Sequence, residues 1–322
     1  MQAPTVPAGY TVRPAAWDDL HDISEMLRVS DVHDTGRPDM TESELASDWR
    51  NPALDMTTDT WLVRADEGAV AAYSWQIAHA EHTRLFGWGT VHPDHRRRAI
   101  GSLLIDLAEQ RAREHRAAAL PQRDVEFEVG TVAPDDGVRS ILEARGFRNV
   151  RQFWRMEIDL DASMSRRGDQ PDGVTIRGFQ RQSDDRAVHA AITESFRGQW
   201  GFVARPFDEW ATHRLDDPEH DPSVWFVAED GGEIVGALVG AVQGDLGWVH
   251  TLAVRQPWRG RGVATSLLGH AFAAFAGKGL HTAALGVDSQ NETGATRLYS
   301  RVGMHVTHHY NTYRKILPER AS

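Results

Sequence analysis

The chain says most of what it has to say twice. TVRP at 11–14 returns as TIRG at 175–178, and TWLVRADEGAVAA at 60–72 returns as VWFVAEDGGEIVGA at 224–237, with Trp61 over Trp225. VHPDHRRRAIGSLL at 91–104 matches VRQPWRGRGVATSLL at 254–268, and ILEARGF at 141–147 matches LYSRVGM at 298–304. The offsets are 164, 164, 163 and 157, so order and spacing are held along the whole chain. Chance similarity does not do that; the chain is a tandem duplication, and both copies must share one fold. The expected division is a first domain at 1–160, a polar linker at 161–172 and a second domain at 173–322.

Each copy reads alike. A strand begins at TVR or TIR, and an amphipathic helical region follows at about 15–30 or 184–196. Two strands then flank an Asp/Gly turn. Another strand runs into an arginine–glycine turn and a helix. A further strand, 125–129 or 283–288, precedes a short helix and a closing strand pair. The expected class is α+β, with one central, mostly antiparallel sheet per copy flanked by helices.

With 41% hydrophobic and 25% charged residues, the chain has the makings of an ordinary core. It has no cysteine, which excludes disulfides, thiolate nucleophiles and cysteine metal sites. The net charge of −11 argues against nucleic acid as a partner and mildly favours a cationic small molecule. No apolar run has the length of a membrane span, and MQAPTVPAGYTVRP lacks the basic and apolar regions of a signal peptide. The expectation is a cytoplasmic protein without a membrane partner, as monomer or homodimer. HAEH (79–82) and HVTHH (305–309) fall on expected strands without a further ligand set, so no metal is expected.

The second copy carries the clearer chemistry. WVHTLAV (248–254) leads into Arg259-Gly260-Arg261-Gly262-Val263-Ala264, an Arg-x-x-Gly-x-Ala pattern at a strand-to-helix junction. A helix start offers unpaired N–H groups and a partial positive charge. Gly262 lets backbone approach a bulky ligand, and Arg259 and Arg261 add charge. A pyrophosphate satisfies all of these together.

In these features the chain resembles the GCN5-related N-acetyltransferase (GNAT) family, twice over. The resemblance implies that the arginine–glycine turn binds the pyrophosphate of acetyl-CoA, the co-substrate, and no metal. The family's Asn, Leu-Tyr and Gly-Phe correspond to Asn291, Leu298-Tyr299 and Gly303-Met304. The tandem layout is similar to the mycothiol synthase type. The implied reaction is direct attack of a small-molecule primary amine on the acetyl thioester. A backbone N–H at Leu252, beside Ala253 and Val254, would meet the oxyanion. Tyr299 would protonate the departing sulfur. The family often has a glutamate base on this strand; its counterpart here is Trp248. His250, two residues on, is the replacement candidate, with an ordinary pKa near 6.5. Trp248, His250 and Leu252 are expected to alternate onto one face. In SFRGQWGFVARPFDEW (195–210), Trp200, Phe202, Phe207 and Trp210 are candidate walls of the acceptor pocket, with Asp208 or Glu209 facing a cation.

The first copy has lost much of this. Its turn reads Arg96-Arg97-Arg98-Ala99-Ile100-Gly101, so Ala99 stands where a glycine is wanted. The Asn counterpart is missing from APDDG (133–137), Leu142 replaces Tyr299, and Gly87 lies opposite His250. Val91, Arg96, Arg97, Arg98, Ala99 and Gly101 form the candidate second CoA site, in a half expected to be structural or regulatory. The alternatives to a small-amine acetyltransferase are a mycothiol-synthase-like enzyme acting on a cysteinyl amine and a non-catalytic acyl-CoA sensor.

Overall fold

A computed structural model describes residues 4–79, 81–119, 123–133, 136–160, 171–215, 221–291 and 293–318. The chain forms two compact units, residues 1–152 with 308–322, and residues 153–307. The first half of the sequence gives β1 (Tyr10–Arg13), α1 (Leu20–Thr35), α2 (Glu42–Trp49), β2 (Thr60–Ala65), β3 (Val70–His79), β4 (Arg84–Val91), α3 (Ile100–Ala118), β5 (Val125–Ala133), α4 (Asp136–Ala144) and β6 (Arg148–Asp159). The second gives β7 (Thr175–Gly178), α5 (Asp185–Phe196), α6 (Phe207–Arg214), β8 (Phe226–Asp230), β9 (Glu233–Gln243), β10 (Leu246–Val254), α7 (Val263–Gly277), β11 (Thr282–Asp288), α8 (Ala295–Arg301) and β12 (His305–Leu317).

Two expectations need correcting. The closing strand pair is a single long strand in each copy, β6 and β12. These strands are also exchanged. β12 lies antiparallel to β5, closing the first unit in the order β1-β2-β3-β4-β5-β12. β6 lies antiparallel to β11, closing the second in the order β7-β8-β9-β10-β11-β6. The unit boundaries therefore fall inside β6 and β12, rather than in the expected linker. Residues 161–170 of that linker lie outside the described residues. Within each unit the strands are antiparallel except for one parallel pair, β4–β5 or β10–β11.

The repeat shows in the stabilising contacts. In both units the arginine of the first strand reaches a buried aspartate just beyond it: Arg13 to Asp19 at 2.7 Å and Arg177 to Asp184 at 2.6 Å. Arg13 holds the Asp19 carboxyl far below the usual carboxylate range. In the second unit β9 is covered on both faces, so EIVGALVGAVQ is nearly all apolar rather than alternating. Its glycines admit the neighbours: a Cβ at Gly236 would meet Leu267 of α7 at 3.4 Å, and one at Gly240 would meet Phe275 at 3.2 Å. A Cβ on Gly247 of β10 would also run into the Phe275 ring, so α7 packs closely on that face of the sheet.

Candidate active site

The site begins where two parallel strands part. β10 pairs with β11 only from Leu246↔Thr282 to Val249↔Leu285. β10 then runs on to Val254 and β11 to Asp288 without pairing each other. At the same place the β9–β10 register slips: Val249 is opposite Gly240 and Thr251 is opposite Val239, leaving His250 as the extra residue of a bulge. A bulge bends its own strand and increases its twist, which turns β10 away from β11.

The bulge changes which side chains share a face. Counting through the register, Trp248 lies with Thr251 and Ala253, whereas Leu252 lies with Val249, towards α7. The expected row Trp248–His250–Leu252 is therefore broken. Arg255 donates its N–H to Val235 of β9. Antiparallel alternation then turns the amides of Leu252 and Val254 to the other edge, facing the parting.

Beyond β10 the chain makes the arginine–glycine turn. Gly260 and Gly262 have φ of 76° and 82°, the left-handed region that only glycine enters cheaply. Gly262 is the N-cap of α7 and supplies no side-chain bond. The first helix amide to reach a carbonyl is that of Ser266, on Gly262, so the preceding amides are offered outward. Val263 is buried and Ala264 half-buried beneath them. The arginines are used differently from expectation. Arg259 donates Nε–H to the Val254 carbonyl and an Nη2–H to the Ser195 carbonyl, both at 2.9 Å, tying the turn to β10 and to the end of α5. Arg261 donates to the Asp172 carbonyl at 3.0 Å and is otherwise exposed.

Tyr299, on α8, is 8% exposed within the unit's core, and burial pushes its phenol up to about 12, so it holds its proton at neutral pH. Asn291 accepts the Thr293 N–H at 2.8 Å in the turn before α8. His250 is exposed at the bulge, with its ring edge-on to Trp248 at 6.4 Å between centroids. Desolvation, and then the Arg214 guanidinium, push its pKa down to about 3. The imidazole is thus neutral at pH 7 but a poor proton acceptor, which weakens the expected base role.

The aromatic loop is divided. Phe207 packs between α5 and α6, with His189 at 5.6 Å, Trp210 at 6.1 Å and the Arg186 guanidinium 4.1 Å from its ring. Trp210 lies against the buried Trp225, and Phe202 against Phe196. Trp200 instead reaches Phe153 of β6 at 5.8 Å. β6 brings residues that no motif marked. The Arg155 guanidinium sits 5.3 Å from the Trp248 ring, and its Nε is 2.7 Å from Glu157. Both are buried, at 1% and 5% exposed. Three charges spaced by two in FWRMEID, Arg155, Glu157 and Asp159, share one strand face and are the signal available in the sequence; it goes unmarked because β6 precedes the second repeat.

The first unit lacks the central device. β3 and β4 pair without a slip from Ala72↔Val91 to His79↔Arg84. The parallel pairing ends at Gly87↔Val129, so Gly87 is the counterpart of Val249, and the bulge residue His250 has none. Arg96 donates to the Val91 carbonyl and is paired with Asp34 at 2.7 Å; Arg98 reaches Tyr10. Arg97 and Ala99 are held at φ of 60° and 62°. Gly101 lies within α3, and Leu142, in the place of Tyr299, is fully buried. Residues 134 and 135 of the stretch that lacks the Asn lie outside the described residues.

The strands part at a bulge, and the bulged strand leads into a helix start whose first amides turn outward. The model of the acetyltransferase (GNAT) family matches residues 20–126 and again 187–304, so the chain belongs to that family. It is similar to mycothiol acetyltransferase of Streptomyces coelicolor, 31% identical over 68% of this chain and 67% of that protein. It is also similar to mycothiol acetyltransferase of Kineococcus radiotolerans, 28% identical over 92% and 94%. Among solved structures, a GCN5-related N-acetyltransferase from Sphaerobacter thermophilus is 31% identical over 99% of each chain, with a TM-score of 0.83. A tandem GNAT protein from the clavulanic acid pathway, 15% identical, shares the fold with a TM-score of 0.74 over 97% of this chain. The chain is an N-acetyltransferase. No helix among the described residues is long and apolar enough to cross a membrane.

Proposed function

We propose that the second unit carries the reaction and that it moves the acetyl group of acetyl-CoA to the primary amine of a small molecule. The observation that carries this reading is the His250 bulge, which opens β10 from β11 beside the free amides of the α7 start; the first unit has no such bulge. The diphosphate of acetyl-CoA lies on the amides of residues 260–264, and the thioester enters the parting. The amine nitrogen attacks the carbonyl carbon, the carbon–sulfur bond breaks, and its electron pair leaves on sulfur. Tyr299 gives that sulfur its proton, and the amine's surplus proton passes out through solvent, restoring the phenol. The Leu252 amide faces the developing oxyanion. His250, neutral and hard to protonate, accepts a hydrogen bond from an amine that arrives uncharged, rather than stripping a proton from an ammonium. The first unit is a structural or regulatory half that holds CoA weakly.

The similarity to mycothiol acetyltransferases favours one narrower reading, the mycothiol-synthase-like one raised from the sequence, in which the acceptor is a cysteinyl amine. The test is thiol release from acetyl-CoA with ethanolamine, glucosamine, tyramine and cysteine methyl ester. Wild-type protein is expected to turn over at least one of them. Tyr299→Phe is expected to lower kcat by about a hundredfold, with the KM for acetyl-CoA little changed. Wild-type protein that binds acetyl-CoA but releases no thiol with any amine would leave only a sensor.

A further inference from the structure

Gly286 is the first residue of β11 beyond its last pairing with β10, at the fork of the parting. It is exposed, its φ is not in the left-handed region, and a Cβ built on it would meet nothing within 4 Å. Neither backbone geometry nor packing calls for glycine here. A glycine within a strand is destabilising relative to alanine. What its absent side chain leaves is space. The register sets Arg155 directly beside Gly286, and Ala284, on the same face, between Glu157 and Trp248. This is the face away from α7, since the adjacent Gly247 turns towards Phe275.

The duplication supplies an internal control. Gly130 of β5 is the equivalent position, one residue past the last β4–β5 pair, Gly87↔Val129. There the space is filled: a Cβ on Gly130 would come within 3.2 Å of Phe86 and 3.9 Å of Trp88. The residue beside Gly130 is Thr312 where the second unit has Arg155. One fold thus presents the same strand glycine plugged by its own aromatics in one copy and open in the other.

We infer that the open floor over Gly286, walled by Trp248 with the buried Arg155 behind that ring, receives the part of the acceptor next to its amine, and that Gly286 is the residue that decides how bulky that part can be. This rests on the catalytic reading above. It assigns the space to the acceptor, and not to the thioester, because the amides that face the diphosphate begin α7, on the other side of the sheet. Gly286 keeps the floor low, with Ala284 buried beside it, and the Arg155–Glu157 pair fixes the Trp248 wall from β6.

The test compares wild type, Gly286→Ala and Gly286→Val, using whichever of the four amines the wild type acetylates fastest. Both variants are expected to melt at or above the wild-type temperature, because a Cβ at this strand position meets nothing and both residues suit a strand better than glycine. Gly286→Val is expected to raise the KM for the amine about tenfold or more, with Gly286→Ala between, while the KM for acetyl-CoA stays within about twofold. The control Gly130→Val is expected to destabilise the protein by crowding Phe86. An unchanged amine KM in Gly286→Val overturns the inference, as does a rise confined to acetyl-CoA; if valine prevents folding, the same two outcomes are read from Gly286→Ala. Failure of the wild type on every amine strikes the catalytic reading instead, so the two failures are distinct.

Discussion

The two arginine–glycine turns make a reciprocal experiment. Ala99 caps α3 at φ 62° and ψ 6°, and Gly262 caps α7 at φ 82° and ψ −2°. A side-chain-bearing residue in this conformation costs about 1–2 kcal/mol in the folded state. Replacing it by glycine relieves that cost but loosens the unfolded chain, which returns about 0.4–1 kcal/mol. Ala99→Gly is therefore expected to stabilise the protein by about 0.5–1 kcal/mol, and Gly262→Ala to destabilise it by a similar amount. No contact complicates the second case, because a Cβ on Gly262 has nothing within 4 Å. Reversible urea unfolding reads both, with the m-value checking that the denatured state is unchanged. Acetyl-CoA titration followed by thermal shift then separates strain from ligand crowding: Gly262→Ala is expected to weaken the ligand-induced stabilisation beyond its stability cost, since a methyl group would stand among the offered amides. If Ala99→Gly is destabilising, or Gly262→Ala neutral, the backbone argument fails.

Arg259→Ala removes two carbonyl partners at once and is expected to cost about 1–3 kcal/mol in stability, with a smaller effect on the KM for acetyl-CoA; unfolding and steady-state kinetics decide it. His250 titrates far below its ordinary range, so the pH profile of kcat/KM is expected to follow the amine, rising with pH, with no inflection near 6.5. The same shift has a sign for stability. Between the unfolded and folded pKa values the unfolded chain binds the proton that the native one refuses, so the His250 contribution is present above pH 6.5 and lost as pH falls towards 3. His250→Gln is expected to flatten that slope in unfolding midpoints measured at pH 5 and 7.

Much of this was legible in the residues. The constant offset gave the duplication, and Asp/Gly turns between apolar runs gave β2–β3 and β8–β9. The turn at 259–264 declared itself by two glycines set among arginines. The bulge did not, because its extra residue is hidden by a shorter hairpin connection before it, 244–245 against 80–83. Without the bulge, alternation put Leu252 on the wrong face and Gly87 against His250. At Arg259 the sequence shows a charge and not the Val254 and Ser195 carbonyls that its Nε and Nη2 meet. The exchange of β6 and β12 was invisible for a further reason: a strand's pattern records which face is buried, never which neighbour it lies beside.

That exchange has a consequence for how the molecule can be divided. A cut in 161–170 separates the two copies of the repeat but no folded body, since each fragment carries the strand that finishes the other's sheet. Neither fragment alone contains a whole unit, because the second unit takes Arg155 and Glu157 from the strand that ends the first copy of the repeat. On the proposed reading, a change in that last strand of the first copy would be felt at the site in the second.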